Sequence, residues 1–348
     1  MAELWFWLVS VMVAIYVVMD GFDFGAGALS PFVARTDTER RAVLAAIGPF
    51  WDGNEVWLLA AGGSLFLAFP RVLAAGFSGF YLAMWMVVWC LILRGISIEF
   101  RSHVQDTLWR AFWDFVLAAA SILLPVLLGA ALGNVIRGVP IGPDGTFELP
   151  LFTSFGVLAP VGILDWYTVL VGVFALVALL AHGALFLAWK TTGELHARSV
   201  RAARTLWPVT AVIWIAATFA TRAVQPLLFQ NLPHRPLAWL ALALVAAGAA
   251  LVVLGLRGGR YLQGFLGSAF IWIGLLAATA ASVWPVMLGS LVDPAYSLTA
   301  LNSATDPHGL ATGLRWWCLG FPIALGYGAF LFRLHRGKAE AAGEGEGY

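Results

Sequence analysis

Long apolar runs constrain the fold of this chain more than any other feature. A helix of about 20 apolar residues crosses the hydrocarbon core of a bilayer. Nine runs of about this length or longer occur in the 348 residues, at 4–33, 42–69, 72–93, 113–135, 166–189, 206–228, 237–256, 261–288 and 310–332. Because 61% of the residues are hydrophobic and 11% are charged, the composition excludes an ordinary soluble domain. The sequence therefore predicts an all-α polytopic membrane protein with about nine transmembrane helices.

The basic residues are unevenly divided between the two ends of these predicted helices. Fifteen of the 20 Lys and Arg residues follow odd-numbered helices, and Arg94 is counted among them because the third run ends at 93. Basic loops are retained in the cytoplasm, so we expect the N-terminus outside and the C-terminus inside. Thr36 and Glu39 fit a capping box, which indicates a helix start. We expect one transmembrane domain over 1–336 and a disordered cytoplasmic tail over 337–348.

Acidic residues inside the first apolar runs are the strongest functional signal. An acid near the centre of a membrane helix costs roughly 3 kcal/mol, so such groups usually face a protein interior and mark a proton, ion or substrate route. The candidates for a proton path are Asp20, Asp23, Asp52, Glu55 and Glu99. Acids stacked in a low dielectric do not all ionise, so a shared proton is one interpretation. The alternative is that each acid pairs with a nearby Arg or Asn54, or caps a broken helix near Gly53.

Candidate ligands for a cofactor or a metal are few. Five of the six histidines lie at helix ends or in loops, and His182 lies in a span between small neighbours, which favours a packed histidine over a haem ligand. Cys90 and Cys318 lack metal-ligand spacing, and no dinucleotide or phosphate-loop motif occurs. We therefore expect no cofactor and no metal to be bound by this chain alone. A net charge of +1 gives no indication of a nucleic acid partner.

Several short motifs resemble subunit II of the cytochrome bd-type quinol oxidases. They are the runs 20–25 (DGFDFG), 37–41 (DTERR), 51–57 (WDGNEVW), 60–63 (AAGG), 77–81 (FSGFY) and 94–101 (RGISIEFR). The likeness continues through Gly133-Asn134, 162–168 and 193–195, so it covers essentially the whole chain. Detail in 57–63 and 98–101 is most similar to the cyanide-insensitive branch.

This resemblance implies a particular architecture and a particular partner. Nine helices would form two four-helix bundles and one peripheral helix, paired with a homologous subunit I in the bacterial cytoplasmic (inner) membrane. Haems b and d and the quinol site would belong to subunit I, and a small single-helix accessory subunit could join the complex. The complex would oxidise quinol, reduce oxygen to water and generate a proton-motive force.

The resemblance also implies roles for single residues. Carried over by motif, Asp52 and Asp20 or Asp23 would be proton-path carboxylates, whereas Glu55 stands where family members can have Gln. The candidates for the subunit interface or an oxygen route are Trp51, Asn54 and Trp57. No residue of this chain is expected to be catalytic.

Two other functional classes stay open at this point. A proton-coupled secondary transporter would also place acids near the midplane, but the acids here cluster in the first three helices, and no matching pair of interrupted helices occurs in the two halves. A purely structural scaffold for a haem partner differs from the oxidase hypothesis only in whether the acids exchange protons.

Overall fold

A computed structural model describes residues 1–339, and most of this part of the chain is helical. Its α-helices are α1 (Ala2–Val33), α2 (Asp37–Ile47), α3 (Trp51–Ala68), α4 (Pro70–Gly79), α5 (Tyr81–Phe100), α6 (Thr107–Arg137), α7 (Trp166–Lys190), α8 (Gly193–Val224), α9 (Pro226–Asn231), α10 (Pro236–Gly258), α11 (Tyr261–Val283) and α12 (Pro307–Leu334). Single 3-10 turns lie at Leu232–His234 and Pro294–Tyr296. Two short strands, β1 (Val286–Leu288) and β2 (Leu298–Thr299), pair antiparallel between α11 and α12.

Eight of the described helices are long and apolar enough to cross a membrane, namely α1, α5, α6, α7, α8, α10, α11 and α12. α3 and α4 form a ninth candidate span, with a bend of 117° between them. Over residues 1–339 the structure thus agrees with an all-α polytopic membrane protein of about nine spans. The division into two bundles and the orientation stay predictions.

Two of the predicted helices are wrong, because the structure divides each of these runs between two helices. The run 42–69 is not one helix, because α2 ends at Ile47 and α3 begins only at Trp51. Pro49 lies in the break, where a proline lacks the N–H and clashes with the preceding turn. The run 72–93 is divided at Phe80 into α4 and α5, after Gly79 has weakened the helix, and α5 continues to Phe100.

Other predicted spans differ mainly at their ends. α6 begins at Thr107 rather than at 113, because the Asp106 carboxylate caps it by accepting a hydrogen bond from Trp109 N at 2.9 Å. α8 begins at Gly193 rather than at 206, and the run to 228 is interrupted at Gln225, before Pro226 starts α9. α11 ends at Val283, so the residues up to 288 that were predicted to be helical include strand β1.

α1 lies at the centre of the packed structure, where it contacts α3, α6, α7 and α11. Its segment from Asp20 to Ser30 is buried throughout. α7 approaches it closely because Gly25 faces Gly183, where a Cβ atom on Gly25 would meet the Gly183 Cα at 2.9 Å. α1 therefore carries its acids into protein rather than into lipid.

The connections at the two ends of the bundle are also fixed by contacts. Val139 N donates a hydrogen bond to Gly289 O at 2.9 Å, which joins the segment after α6 to the segment after α11. At the opposite end Ala339 N donates to Lys190 O at 2.7 Å, and Lys190 Nζ donates to Gly337 O at 3.1 Å. Residues 337–339 therefore do not fit the prediction of a disordered tail, and the rest of that tail, 340–348, lies outside the described residues.

Candidate functional site

A cluster of buried charge lies between α1, α3 and α5, and Arg94 is its centre. Arg94 Nη1 donates to Asp20 Oδ1 at 2.5 Å, and Arg94 Nη2 donates to Glu55 Oε1 at 2.5 Å. The side chains of Arg94 and Asp20 are 1% and 0% exposed, whereas that of Glu55 is 24% exposed. The guanidinium also lies 4.6 Å from the centroid of the Phe24 ring. One arginine of α5 thus connects three helices.

Asp23 and Asn54 form the second part of this cluster. Asn54 Nδ2 donates to Asp23 Oδ2 at 2.7 Å and to Met19 O at 3.0 Å, so the amide joins α3 to α1. Both side chains are buried. Asp23 Oδ1, Asp20 Oδ2 and the buried Tyr16 hydroxyl have no hydrogen-bond partner among the described residues. The cluster therefore keeps unused hydrogen-bonding capacity in its interior.

The charges in this cluster do not balance. Arg94 is the one cation that pairs with its acids among residues 1–339, while Asp20, Asp23 and Glu55 supply three carboxyl groups. Isolated charges are costly in a low dielectric and neutralise by taking up protons. If all three ionised, two negative charges would have no cation, so the arrangement is able to hold and to exchange protons.

A groove of about 410 Å³ opens beside the cluster, on the face of α3 and α5 that no other described helix covers. Its walls include three acids, Asp52, Glu55 and Glu99, and the ring of Trp51. Glu55 is therefore shared between the groove and the buried ion pair. Through Glu55 the groove connects the internal acids to the surface of this chain, and the rest of its wall is mainly apolar.

The structure separates the predicted site residues into three environments. Asp20 and Glu55 pair with Arg94, and Asp23 pairs with Asn54 in the interior. Asp52 is exposed, and it lies in the groove wall with the partly buried Glu99 and Trp51. Trp57 is 4% exposed and packs edge-on against Phe321 of α12 at a centroid distance of 5.5 Å. Asn54 and Trp57 thus lie inside this chain, and of the three predicted interface residues Trp51 alone borders the groove.

Arg94 is the site residue that the sequence analysis misplaced. The third apolar run stops at 93, so Arg94 was assigned to a cytoplasmic loop, whereas it lies one and a half turns inside α5 and is buried. A signal was present, because acids in two neighbouring spans require a cation, and the alternative interpretation named an unspecified Arg as their partner. Which arginine pairs with these acids depends on how α5 packs against α1 and α3, and the hydropathy pattern carries no information about that packing.

A second ionic network fastens α2 to the corner between α5 and α6. Arg101 follows α5 and donates to Asp37 Oδ1 at 2.9 Å and to Asp114 Oδ1 at 2.5 Å. Arg40 of α2 also donates to Asp114 at 2.9 Å. Burial alone would raise the pKa of Asp37, but the hydrogen bond and charge of Arg101 and the charge of Arg110 hold that pKa below its ordinary value. α2 itself starts with the predicted capping box of Thr36 and Glu39.

A third buried ion pair lies at the opposite end of the bundle. Arg137, the last residue of α6, pairs with Asp165 and also donates to Asn134 Oδ1 at 2.6 Å and to Gly162 O at 3.1 Å. Asp165 caps α7 by accepting from Thr168 N at 3.1 Å. Burial would raise the pKa of Asp165, but the backbone N–H of Thr168 and the charge of Arg137 outweigh burial and lower it.

The described residues do not fit a haem. His182 is the histidine within a span, and both of its ring nitrogens are engaged, Nδ1 with Ser268 Oγ at 2.5 Å and Nε2 with Val18 O at 3.0 Å. The ring also stacks on Phe265 at a centroid distance of 4.8 Å. Within residues 1–339, no three His, Cys, Asp or Glu side chains are placed to hold a metal ion.

Similarity of this chain to known proteins extends over nearly its whole length. The model of the family described as cytochrome bd terminal oxidase subunit II matches residues 1–335. The chain is 41% identical over 216 residues to cytochrome bd-I ubiquinol oxidase subunit 2 of Escherichia coli K12, which covers 62% of this chain and 55% of that protein. The match thus spans about half the length of this curated relative.

Two further relatives and one solved structure extend the comparison. Identity is 30% over 363 residues to the probable cytochrome oxidase subunit 2 of Haemophilus influenzae, covering 97% of this chain and 95% of that one. It is 30% over 309 residues to cytochrome bd ubiquinol oxidase subunit 2 of Bacillus subtilis, covering 88% of each. A chain in the structure of bd oxidase from Geobacillus thermodenitrificans superimposes with a TM-score of 0.73 and 16% identity, over 96% of this chain and 98% of that one, so it has the same fold.

Proposed function

Because the chain belongs to the cytochrome bd terminal oxidase subunit II family, we propose that it works in a membrane complex that oxidises quinol and reduces oxygen to water. Haems b and d are supplied by a partner subunit I, and residues 1–339 of this chain ligate neither. The complex lies in the bacterial cytoplasmic membrane, and a small single-helix subunit can accompany it. This chain supports the haem-bearing partner and conducts protons toward it.

The observation that carries this proposal is an acidic groove on a membrane-spanning surface. Asp52, in the first turn of α3, and Glu99, in the last turn of α5, lie on the open face of these helices. Contact with lipid is unfavourable for an acid there, although it costs less than the roughly 3 kcal/mol of a central position. That cost is avoided when a second protein subunit covers the face and water fills the groove between them. We therefore place subunit I over α3 and α5, which makes the groove a polar channel.

Protons enter this channel at Asp52 and Glu99 and reach Glu55, which pairs with Arg94 and thereby with Asp20. Arg94 holds Asp20 and Glu55 in place without moving, while the excess of acids over cations leaves room for a proton to be shared with Asp23. A relay of this kind needs no change of helix packing, because each acid is already fixed by its partner.

The test is a set of conservative variants of the purified complex in proteoliposomes. Asp52→Asn is expected to lower quinol-driven oxygen uptake and the membrane potential while the haem content per complex stays at the wild-type value. Glu148→Gln, which removes an exposed acid from the connection after α6, is the matched control and is expected to change none of these quantities.

Two outcomes would contradict the relay. If Asp52→Asn left turnover, haem content and assembly unchanged, Asp52 would not be an essential proton carrier. Loss of haem together with activity would instead assign Asp52 to assembly.

One alternative within the same family is favoured by a specific observation. Arg94 links α1, α3 and α5 through one buried and one partly buried ion pair, as expected if the acids serve only to hold a scaffold for the haem-bearing partner. The scaffold hypothesis predicts that the neutral variants Asp23→Asn and Asp52→Asn change stability but not turnover per assembled complex. Family membership gives no support to the transporter alternative.

A further inference from the structure

The arginines at the α2 end of the bundle divide into two groups. Arg40, Arg101 and Arg110 pair with acids. Others, among them Arg35 and Arg333, are exposed and form no ion pair with residues 1–339. Those near the start of α8 and the turn between α10 and α11 are exposed and form no ion pair with any residue among 1–339: Arg201, Arg204, Arg257 and Arg260. We call these four residues the arginine patch. A patch of cations without anions requires a ligand or solvent to balance it.

The four residues of the arginine patch lie on neighbouring elements. Arg204 Nη2 donates to Leu256 O at 3.3 Å, which brings α8 against the end of α10. Arg257 lies in the last turn of α10, and Arg260 precedes α11 across the turn at Gly258 and Gly259. Arg201 is three residues before Arg204 and therefore lies on the same face of α8.

An apolar wall continues directly from the arginine patch along the membrane-spanning helices. On α10, Val253 and Leu254 are 44% and 52% exposed within one turn of Arg257. On α11, Leu262 is 43% exposed two residues after Arg260, and on α8 Val209 is 42% exposed. Cations at a helix end above exposed aliphatic side chains match a molecule that has an anionic head and hydrocarbon tails.

We propose that the arginine patch binds the phosphate group of an anionic phospholipid, whose acyl chains lie against the exposed residues of α10 and α11. Guanidinium groups bind phosphate oxygens in a bidentate manner. Each basic residue near a membrane surface adds about 1 kcal/mol of attraction for anionic lipid. The apolar wall selects a lipid over inorganic phosphate, and the net charge of the patch selects an anionic lipid over a zwitterionic one.

The test measures lipid binding to the full chain, purified in detergent with its accompanying subunits, by native mass spectrometry with added phosphatidylglycerol or phosphatidylcholine. Wild-type protein is expected to retain phosphatidylglycerol preferentially. The double variant R257Q/R260Q is expected to bind it about 10- to 30-fold more weakly, since two basic residues are removed. The matched control is R222Q/R315Q, which removes two exposed arginines that lie outside the patch.

Further measurements distinguish lipid binding from the binding of other anions and from misfolding of the variants. Thermal unfolding without added lipid is expected to be the same for both double variants and the wild type. Inorganic phosphate at millimolar concentration is expected not to displace phosphatidylglycerol. The variant E340Q/E344Q/E346Q removes the acids of the chain beyond Ala339, and it is expected to leave the preference for phosphatidylglycerol unchanged.

Several results would overturn the proposal. They are equal retention of phosphatidylglycerol and phosphatidylcholine, wild-type binding by R257Q/R260Q, equal losses in R222Q/R315Q, and full displacement by inorganic phosphate. Binding of phosphatidylglycerol that appears only in E340Q/E344Q/E346Q would show that the chain's own acids occupy the patch instead of a lipid.

Discussion

Two buried arginines differ in how completely their carboxylate partners are hydrogen-bonded. Arg94 lies within the membrane-spanning bundle, and Arg137 lies at the end of α6. At Arg137 the partner Asp165 accepts hydrogen bonds from Gly162 N, Tyr167 N and Thr168 N as well as from the guanidinium. At Arg94 the cluster keeps unpaired atoms, Asp20 Oδ2, Asp23 Oδ1 and Arg94 Nε, among the described residues. A fully bonded pair fixes a structure, whereas an incompletely bonded one can take up water or protons.

The two clusters also differ in charge and in access. Arg137 and Asp165 are one cation and one anion, both 4% exposed. Arg94 faces an excess of acids, and one of its partners, Glu55, reaches the groove. A buried arginine is therefore not by itself evidence of a functional site. The excess of acids around Arg94 and the route of Glu55 to the surface support the proposed proton site, and the Arg137 pair has neither feature.

The largest expected effect is on the Arg94 cluster. Arg94→Gln removes the cation and leaves the buried Asp20 and the partly buried Glu55 without it, and breaking a buried ion pair in this way costs about 3–5 kcal/mol of folding free energy. We expect poor assembly and a strongly lowered thermal unfolding temperature of the complex. Arg110→Gln, which removes a partly exposed member of the α2 network, is the control with a small expected change. An Arg94→Gln complex with wild-type unfolding temperature would refute the role of Arg94 in linking three helices.

At the other cluster, Asp165→Asn is expected to lower stability by about 2–3 kcal/mol, because Arg137 loses its counter-charge while an Asn can still cap α7. Turnover per assembled complex is expected to be unchanged, since Asp165 lies at the far end of α7 from the acids of α1. Denaturation of the purified complex and quinol-driven oxygen uptake measure the two quantities. A loss of turnover without a loss of stability would remove the distinction between the clusters.

Asp23→Asn is expected to lower turnover with little change in stability, which is the reverse of the effect expected for Asp165→Asn. Asp23 has no ion pair among the described residues, and an Asn side chain can retain the contact with Asn54, so stability is expected to change by no more than about 1 kcal/mol. Oxygen uptake is expected to fall at least about tenfold, because proton transfer by a positioned group contributes at least that much. Haem content serves as the internal control. Full activity of Asp23→Asn would leave the scaffold hypothesis as the better account.

The smallest expected effect is a pH dependence at Asp165. Its pKa is lowered in the folded protein, so its stabilisation is complete above the unfolded value of about 3.9 and is lost as the pH falls through the lower folded value. The difference in unfolding free energy between wild type and Asp165→Asn is therefore expected to be constant near neutral pH and to shrink below about pH 4. A difference that grows on acidification would contradict the sign of this pKa shift.

The sequence was sufficient to predict the membrane class, the approximate number of spans and the placement of Asp20 and Asp23 in the protein interior. Hydropathy and the cost of buried charge are local properties, so they can be read from the chain directly. The break at Pro49 and the bend before Pro70 also had local signals, but averaging over a long apolar window conceals them.

The internal arrangement of the site could not be predicted in the same way. Asp52 and Glu55 are one helical turn apart, yet Glu55 points to Arg94 and Asp52 lies in the open groove wall. The rotation of α3 that separates them is set by the contacts of Asn54 with α1 and of Trp57 with α12. Such contacts join residues far apart in the sequence and become visible only once the helices are packed.

The contact between Asp20 and Arg94 also has a consequence for biosynthesis. The two residues are 74 positions apart, so at about 5–20 residues per second the ribosome needs several seconds to make the arginine after the aspartate. During this interval α1 and α3 are in or near the membrane with acids that lack their cation, and a central acid such as Asp20 opposes insertion by roughly 3 kcal/mol. We therefore expect stable integration of the first three spans to be a collective event that is completed when α5 enters the membrane.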